Sequence, residues 1–317
     1  MAQAKRWRAE IPGDAWGVKH RGRARQGGAS RRARRIAASP AAPVLKRARF
    51  AIVTRPERKM QAVVLAGGLA TRMRPHTLTV PKSMLEVAGR PFVDWQIERL
   101  VASGLRDIVM CIAHLGERIR DHVGDGAQLG ARVVWSEEGP ALLGTGGALR
   151  VALPLLGETF LVTYGDSYLP FDYGEPLRML EAHSDCDGVM AVFKNEGKWD
   201  PSNVVLDRQD GHDRDDEAWV LRYEKGSKDP AFDHIDYGAT ALRRSALAAA
   251  LPAATSQASQ ASQASQGGGA AGFDAVQRDL ASRKRLRACV AHARFFEIGS
   301  PEGLAELDRH LRTPPAS

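Results

Sequence analysis

Leu65-Ala66-Gly67-Gly68-Leu69-Ala70-Thr71-Arg72-Met73-Arg74-Pro75, followed by Pro81-Lys82, decides how this chain is read. The stretch leaves a short apolar run, Ala62-Val63-Val64-Leu65, which predicts a buried strand over Gln61–Ala66. A strand that ends in paired glycines can bring backbone N–H groups close to a phosphate. Arg72 and Lys82 add the cations that such a site uses: a guanidinium that grips phosphate with two parallel bonds, and an ammonium that acts as a point charge. The spacing is neither GxxxxGK[ST] nor GxGxxG, so it is neither a Walker A loop nor a dinucleotide fingerprint.

Outward from this turn, strand and helix patterns alternate. Helices are expected over Phe92–Ser103, His114–His122, Gly146–Leu153 and Glu175–His183. Strands are expected over Asp107–Ile112, Ala131–Trp135, Thr159–Tyr164 and Gly188–Phe193. That alternation implies an α/β fold, a Rossmann-like and mostly parallel central sheet flanked by helices. The second half is less regular. Strands are expected at Asn203–Leu206, Trp219–Tyr223 and Ile235–Ala241, and within Val290–Ile298. Helices are expected at Leu242–Leu251, Phe273–Ala281 and Pro301–Arg312, the last with Ser300 as its cap.

Composition sets the boundaries. Residues 1–59 hold 13 Arg and 4 Lys against 3 acidic residues, a net of +14; the whole chain carries +8, so residues 60–317 carry −6. The basic balance belongs to an N-terminal extension that lacks an apolar period and reads as disordered. It admits three readings: an upstream extension ahead of a natural start at Met60, a segment for nucleic acid or an acidic surface, or an Arg-rich transit peptide. The mildly acidic body argues against nucleic acid as a partner. The domain is expected over 60–312. A Ser-Gln-Ala repeat running into Gly267-Gly268-Gly269 makes 252–272 a flexible low-complexity insertion, and 313–317 a short tail. Three scattered cysteines, Cys111, Cys186 and Cys289, suit a reducing cytoplasm and argue against disulfides or a zinc site. No apolar run approaches the roughly 18–20 residues that span a bilayer.

The signature resembles that of the sugar-1-phosphate nucleotidyltransferases, roughly LAGGxGTRLxPxTxxxPKxMxxVxGxPxx. The match continues through Pro81-Lys82-Ser83-Met84-Leu85 and Val87-Ala88-Gly89-Arg90-Pro91-Phe92, and it departs at Ala70, where the family usually has Gly. If that position needs a positive φ, Ala would be strained there.

The resemblance implies the nucleotide-diphospho-sugar transferase fold, with an irregular sugar-binding half. It implies transfer of a nucleoside monophosphate from an NTP to a sugar 1-phosphate, with Mg²⁺ and loss of pyrophosphate. Arg72 and Lys82 would be catalytic. Leu65, Ala66, Gly67, Gly68 and Thr71 would hold the nucleotide, together with Gly144 and Thr145 of the Gly144-Thr145-Gly146-Gly147 segment. Asp166, at the end of a strand in Tyr164-Gly165-Asp166-Ser167, and Glu297, where relatives carry Asp, would hold the metal. Glu224, Lys225, Asp236 and Asn203 would face the sugar phosphate. The best match is guanylyl transfer from GTP to a heptose or mannose 1-phosphate for surface polysaccharide synthesis. Uridylyl transfer to another sugar 1-phosphate stays open, as do a homo-oligomer and a non-catalytic nucleotide-binding protein whose basic tail binds nucleic acid.

Overall fold

Among the described residues of the computed structural model, which are 60–139, 142–207, 218–251 and 272–313, the chain forms thirteen strands and seven α-helices. The expectations for residues 1–59 and for nearly all of 252–272 and 313–317 lie outside them. In chain order the first strands are β1 (Gln61–Leu65), β2 (Glu86–Val87), β3 (Arg90–Pro91), β4 (Asp107–Ile112), β5 (Arg132–Glu137), β6 (Thr159–Tyr164) and β7 (Ser167–Tyr168). Then come β8 (Gly188–Lys194), β9 (Val204–Asp207), β10 (Trp219–Tyr223), β11 (His234–Arg243), β12 (Leu286–Ala291) and β13 (Phe296–Glu297). The helices are α1 (Phe92–Ala102), α2 (Gly116–Val123), α3 (Gly144–Ala152), α4 (Glu175–Ala182), α5 (Arg244–Ala250), α6 (Phe273–Ser282) and α7 (Pro301–Arg312).

Nine strands form one sheet in the order β5-β4-β1-β6-β11-β8-β12-β10-β9. The first four are parallel. At β11 the direction reverses: it runs antiparallel to both β6 and β8. β12 is parallel to β8, while β10 is antiparallel to β12 and to β9. A pairing of His234 with Val204 brings β9 back to β11, so this half curls on itself. The expected mostly parallel sheet is therefore corrected to a mixed, partly barrel-like one. Hydrophobic periodicity marks strands but not their direction. β11 enters between β6 and β8, which a chain-order reading would have placed side by side.

Both faces of the parallel half are covered, as its apolar strands require. All six residues of β4 are buried. Along β1, Ala62 and Val64 join a core with Ile97 and Leu100 of α1, whereas Val63 and Leu65 join a second core with Leu149 of α3 and Phe273 of α6. The period of two in the strand thus feeds two layers of helices. A third, small core of Val87, Phe92, Tyr168, Ile298 and Leu307 lies under α7 and fixes the small β7–β13 ribbon. No helix among the described residues is long and apolar enough to cross a membrane.

Candidate active site

The C-terminal ends of β1 and β6 lie side by side, and this is where an open α/β sheet binds ligands. Ala66 N–H donates to Cys111 O at 2.9 Å and Gly165 N–H to Leu65 O at 2.9 Å, so both turns leave the sheet in register. Gly165 is required by proximity: a Cβ there would lie 2.9 Å from the Cα of Ala66. Gly68 has nothing within 4 Å of such a position and leaves its backbone open. Ala70, the departure from the family pattern, has φ 50° and ψ 42°, which is the left-handed region. Its carbonyl accepts from Met73 N–H at 3.0 Å and from the Thr77 hydroxyl at 2.8 Å, and these bonds hold the strained turn.

A cavity of about 350 Å³ opens over this turn. Leu65, Ala66, Gly67 and Gly68 line one wall, Gly144 and Thr145 another, and Lys82 and Asp166 the floor. Six of the seven residues expected to hold the nucleotide come together here. Thr71 lies outside the lining and is exposed. The Thr145 hydroxyl accepts from Phe273 N–H at 2.8 Å, so it also caps the start of α6.

Lys82 follows Pro81 into a short 3-10 turn, and its Nζ donates to Asp166 Oδ2 at 2.7 Å. On the other side, β13 pairs with β7, setting Glu297 opposite Ser167, while Ile298 N–H donates to Asp166 O at 3.0 Å. Asp166 and Glu297, 131 positions apart in sequence, are thereby brought side by side. A methyl group on Gly299 would lie 3.6 Å from Arg72 Nη2, 3.9 Å from Glu297 Oε2 and 4.0 Å from Lys82 Nζ, so both cations and this carboxylate converge. Ser300 caps α7 as expected: its hydroxyl accepts from Gly303 N–H at 3.1 Å.

The Glu297 side chain is open to solvent on the cleft side, yet its surroundings raise its pKa to about 7. Desolvation by the crowded cleft contributes most, then the negative charges of Asp166 and Asp200; Lys82 and Arg72 pull the other way. Two mutually repelling carboxylates beside two cations form a donor set that suits a hard divalent ion shared with phosphates. No group of three or more His, Cys, Asp or Glu gathers for a metal among the described residues, so phosphate oxygens or water would complete the shell.

The sugar-facing residues are less united. Asp236 is bound from several sides: Oδ2 accepts from the Tyr223 hydroxyl at 3.0 Å and from Gln277 at 3.3 Å, and Oδ1 accepts from Gly238 N–H at 3.0 Å. Asn203 Oδ1 accepts from Asp236 N–H at 2.8 Å. Glu224 is exposed and 3.8 Å from Arg222. Lys225 lies outside the cavity lining, with Nζ 5.6 Å from the ring centre of Tyr164, which is part of it.

Sequence reasoning missed Gln96 and Glu138. Gln96 is buried on the apolar face of α1, and its amide donates to Tyr164 O at 2.7 Å and Ser167 O at 3.1 Å, clamping the turn that carries Asp166. Its signal was a lone amide four residues after Phe92 in an apolar stripe. Glu138 lines the cavity above Gly67, where a Cβ would lie 2.6 Å from its Oε1; Oε2 accepts from Leu143 N–H at 3.0 Å. Burial pushes its pKa up and that hydrogen bond pulls it down.

Residues 61–202 match the family model described as nucleotidyl transferase. A stretch of 115 residues, 36% of this chain, is 44% identical to N-acetylmuramate alpha-1-phosphate uridylyltransferase of Neisseria meningitidis serogroup B and covers 50% of it. Over 192 residues, 60% of this chain, it is 32% identical to mannose-1-phosphate guanylyltransferase of Mycobacterium tuberculosis, again covering 50% of that protein. The matched part thus spans about half the length of these relatives. The crystal structure of HddC from Yersinia pseudotuberculosis shares the fold, with a TM-score of 0.58 and 23% identity over 80% of this chain and 100% of that one. The signature, the family match and the relatives agree on the class of a nucleotidyl transferase. Within that class, the relatives that this stretch resembles are named as sugar-1-phosphate nucleotidyltransferases.

Proposed function

We propose that this protein transfers a nucleoside monophosphate from an NTP to a sugar 1-phosphate, releasing pyrophosphate. The observation that carries this reading is the convergence of the Gly67-Gly68 turn and the Lys82–Asp166 pair in one cavity, with Arg72 and Glu297 beside Lys82. The turn presents backbone N–H groups to the triphosphate. Lys82 exchanges its bond to Asp166 for one to the α-phosphate. A phosphate oxygen of the sugar 1-phosphate attacks the α-phosphorus, forming one P–O bond as the bond to the β-phosphate oxygen breaks. Arg72 balances the charge on the departing pyrophosphate, and Lys225 approaches the acceptor's phosphate. The attacking oxygen is already ionised at neutral pH, so alignment and charge neutralisation carry the rate. Asp166 and Glu297 would hold Mg²⁺, which neutralises charge on the phosphates.

Guanylyl transfer from GTP to a heptose or mannose 1-phosphate is the favoured assignment, and the guanylyltransferase relatives support it. The 44% identity to a uridylyltransferase supports UTP as the second reading. Cys111, Cys186 and Cys289 are buried and not joined in disulfides, which accords with work in a reducing cytoplasm. The test is a matrix of NTPs against sugar 1-phosphates with Mg²⁺, read as pyrophosphate release. One productive pair is expected; silence across the matrix from folded protein, with nucleotide still bound, would instead favour the non-catalytic reading.

A further inference from the structure

The first turns of α1 reach all three arms of the catalytic cluster. Phe92 shares the small third core with Val87, Tyr168 and Ile298. Val87 follows the Lys82 turn, Tyr168 follows Asp166, and Ile298 follows Glu297. Trp95 and Gln96, adjacent on the same helix, add hydrogen bonds to two of these arms. Trp95 Nε1 donates to Val87 O at 2.8 Å. Gln96 Nε2 donates to Tyr164 O at 2.7 Å and to Ser167 O at 3.1 Å.

Gln96 is the member that packing does not explain. It is 1% exposed and lies on the face of α1 that also buries Val93, Ile97 and Leu100. Its Oε1 is buried with no hydrogen-bond partner among the described residues. An acceptor left unpaired away from water opposes folding, and an apolar side chain of the same length would avoid that cost. Core stability therefore does not account for an amide here; its two donors do. They close on the carbonyls on either side of Gly165-Asp166, so both ends of that turn are tied to a helix. Ser167 in turn stands opposite Glu297 in the β7–β13 ribbon, and Asp166 O accepts from Ile298 N–H at 3.0 Å. One amide thus fixes the turn that carries Asp166 and, through the ribbon, its spacing to Glu297. Lys82 Nζ meets Asp166 Oδ2 at 2.7 Å from the other side.

We infer that Gln96 is a positioning residue: through the Tyr164–Ser167 turn it holds Asp166 where it meets Lys82 and Glu297, and it governs the rate of nucleotidyl transfer without touching a substrate. The effect on rate rests on the transferase reading above. Its physical basis is that a charged group displaced by about 1 Å loses most of its value to an aligned reaction.

The test uses the full chain with its productive NTP and sugar 1-phosphate. Gln96→Met keeps the length of the side chain and removes both donors. It is expected to lower kcat about 10–100-fold in a pyrophosphate-release assay, the scale of a lost outer contact to a metal-binding carboxylate. KM for both substrates should stay within about threefold, since no substrate contact is removed. In metal-free, substrate-free protein, hydrogen exchange read by mass spectrometry should rise about tenfold in 164–168 and 296–298 and stay unchanged in β1. The melting temperature should remain within about 4 °C of wild type, because relief of the unpaired Oε1 offsets the two lost bonds. Ile97→Val trims the same core and leaves the amide in place; it should lower the melting temperature and spare both kcat and exchange in those segments. Gln96→Glu, its carboxyl held neutral by burial, keeps one donor, so its kcat should fall between wild type and Gln96→Met. It also carries the test if Gln96→Met does not fold. Full kcat in folded Gln96→Met overturns the assignment, as does a loss of kcat that Ile97→Val shares, or a loss with unchanged exchange in 164–168. A wild type silent with every NTP and sugar 1-phosphate removes the transferase reading and the effect on rate; unchanged exchange in Gln96→Met would remove the hold on the turn as well.

Discussion

The two halves of the sheet solve different problems. The parallel half, β5-β4-β1-β6, offers backbone: its glycine turns leave β1 and β6 side by side and line the cavity. The mixed half, from β11 to β9 with the β7–β13 ribbon beside it, offers side chains: Glu297, Lys225 and Asp200 arrive from places far apart in sequence. A cradle made of backbone can be written in one continuous stretch of sequence. A cluster of side chains needs the whole topology before its members meet.

The largest effect should come from cutting the cations that join the halves. Arg72→Ala should lower kcat by about 10²–10³-fold in a pyrophosphate-release assay, with little change in the melting temperature, as for loss of a preorganised donor. Full turnover in this variant would separate the cradle from the chemistry. Next is Gly165→Ala, which forces a methyl against the backbone of Ala66 and pushes β6 from β1 at the cavity floor. Overpacking of this kind costs roughly 1–3 kcal/mol, to be read by urea unfolding. A neutral result would mean that the two turns can separate freely.

Glu297 tests the other half through pH. Its pKa in the fold, about 7, lies above the ordinary value of 4.5, so the folded protein holds that proton more tightly than the unfolded chain. Its contribution to stability is therefore complete below about 4.5 and is lost as the pH rises through about 7. In metal-free protein, Glu297→Gln should gain melting temperature over wild type at pH 8 relative to pH 4, and an offset independent of pH would sink this account. The smallest effect concerns Ala70. Ala70→Gly relieves a left-handed alanine and should stabilise by roughly 0.5–1 kcal/mol, the left-handed penalty less the extra chain entropy of glycine. Chemical denaturation would register it, and a loss of stability would show that the strain is already offset.

How much was legible follows the same division. The glycine turn, Lys82, Asp166 and the order of strands and helices could be read from local pattern, because each depends on neighbours within one βα unit. β4, β6, β10 and α7 fall where periodicity placed them. The direction of β11 was not legible, since antiparallel and parallel strands share one hydrophobic period. β12 begins at Leu286, four residues before its expected region, because its alternation includes Arg287, stacked on Trp219 at 4.4 Å. Asn203 and Asp236 were expected near a sugar; in the fold Asn203 Oδ1 accepts from Asp236 N–H, while the Asp236 carboxylate accepts from the Tyr223 hydroxyl, the Gln277 amide and Gly238 N–H. Gln96 and Glu138 escaped because a single amide or carboxylate has no spacing to announce it.

The bond from Phe273 N–H to the Thr145 hydroxyl ties the start of α6 to the start of α3 at the cavity wall. Leu251 and Phe273, on either side of the Ser-Gln-Ala segment, belong to the same core, so both ends of that segment are anchored whatever its length. Doubling such a connection costs only about 0.6 kcal/mol of closure entropy. The protein therefore carries a natural port for engineering: a reporter or affinity module could replace 252–271, and its strain would register at Thr145, in the wall of the cavity over the glycine turn.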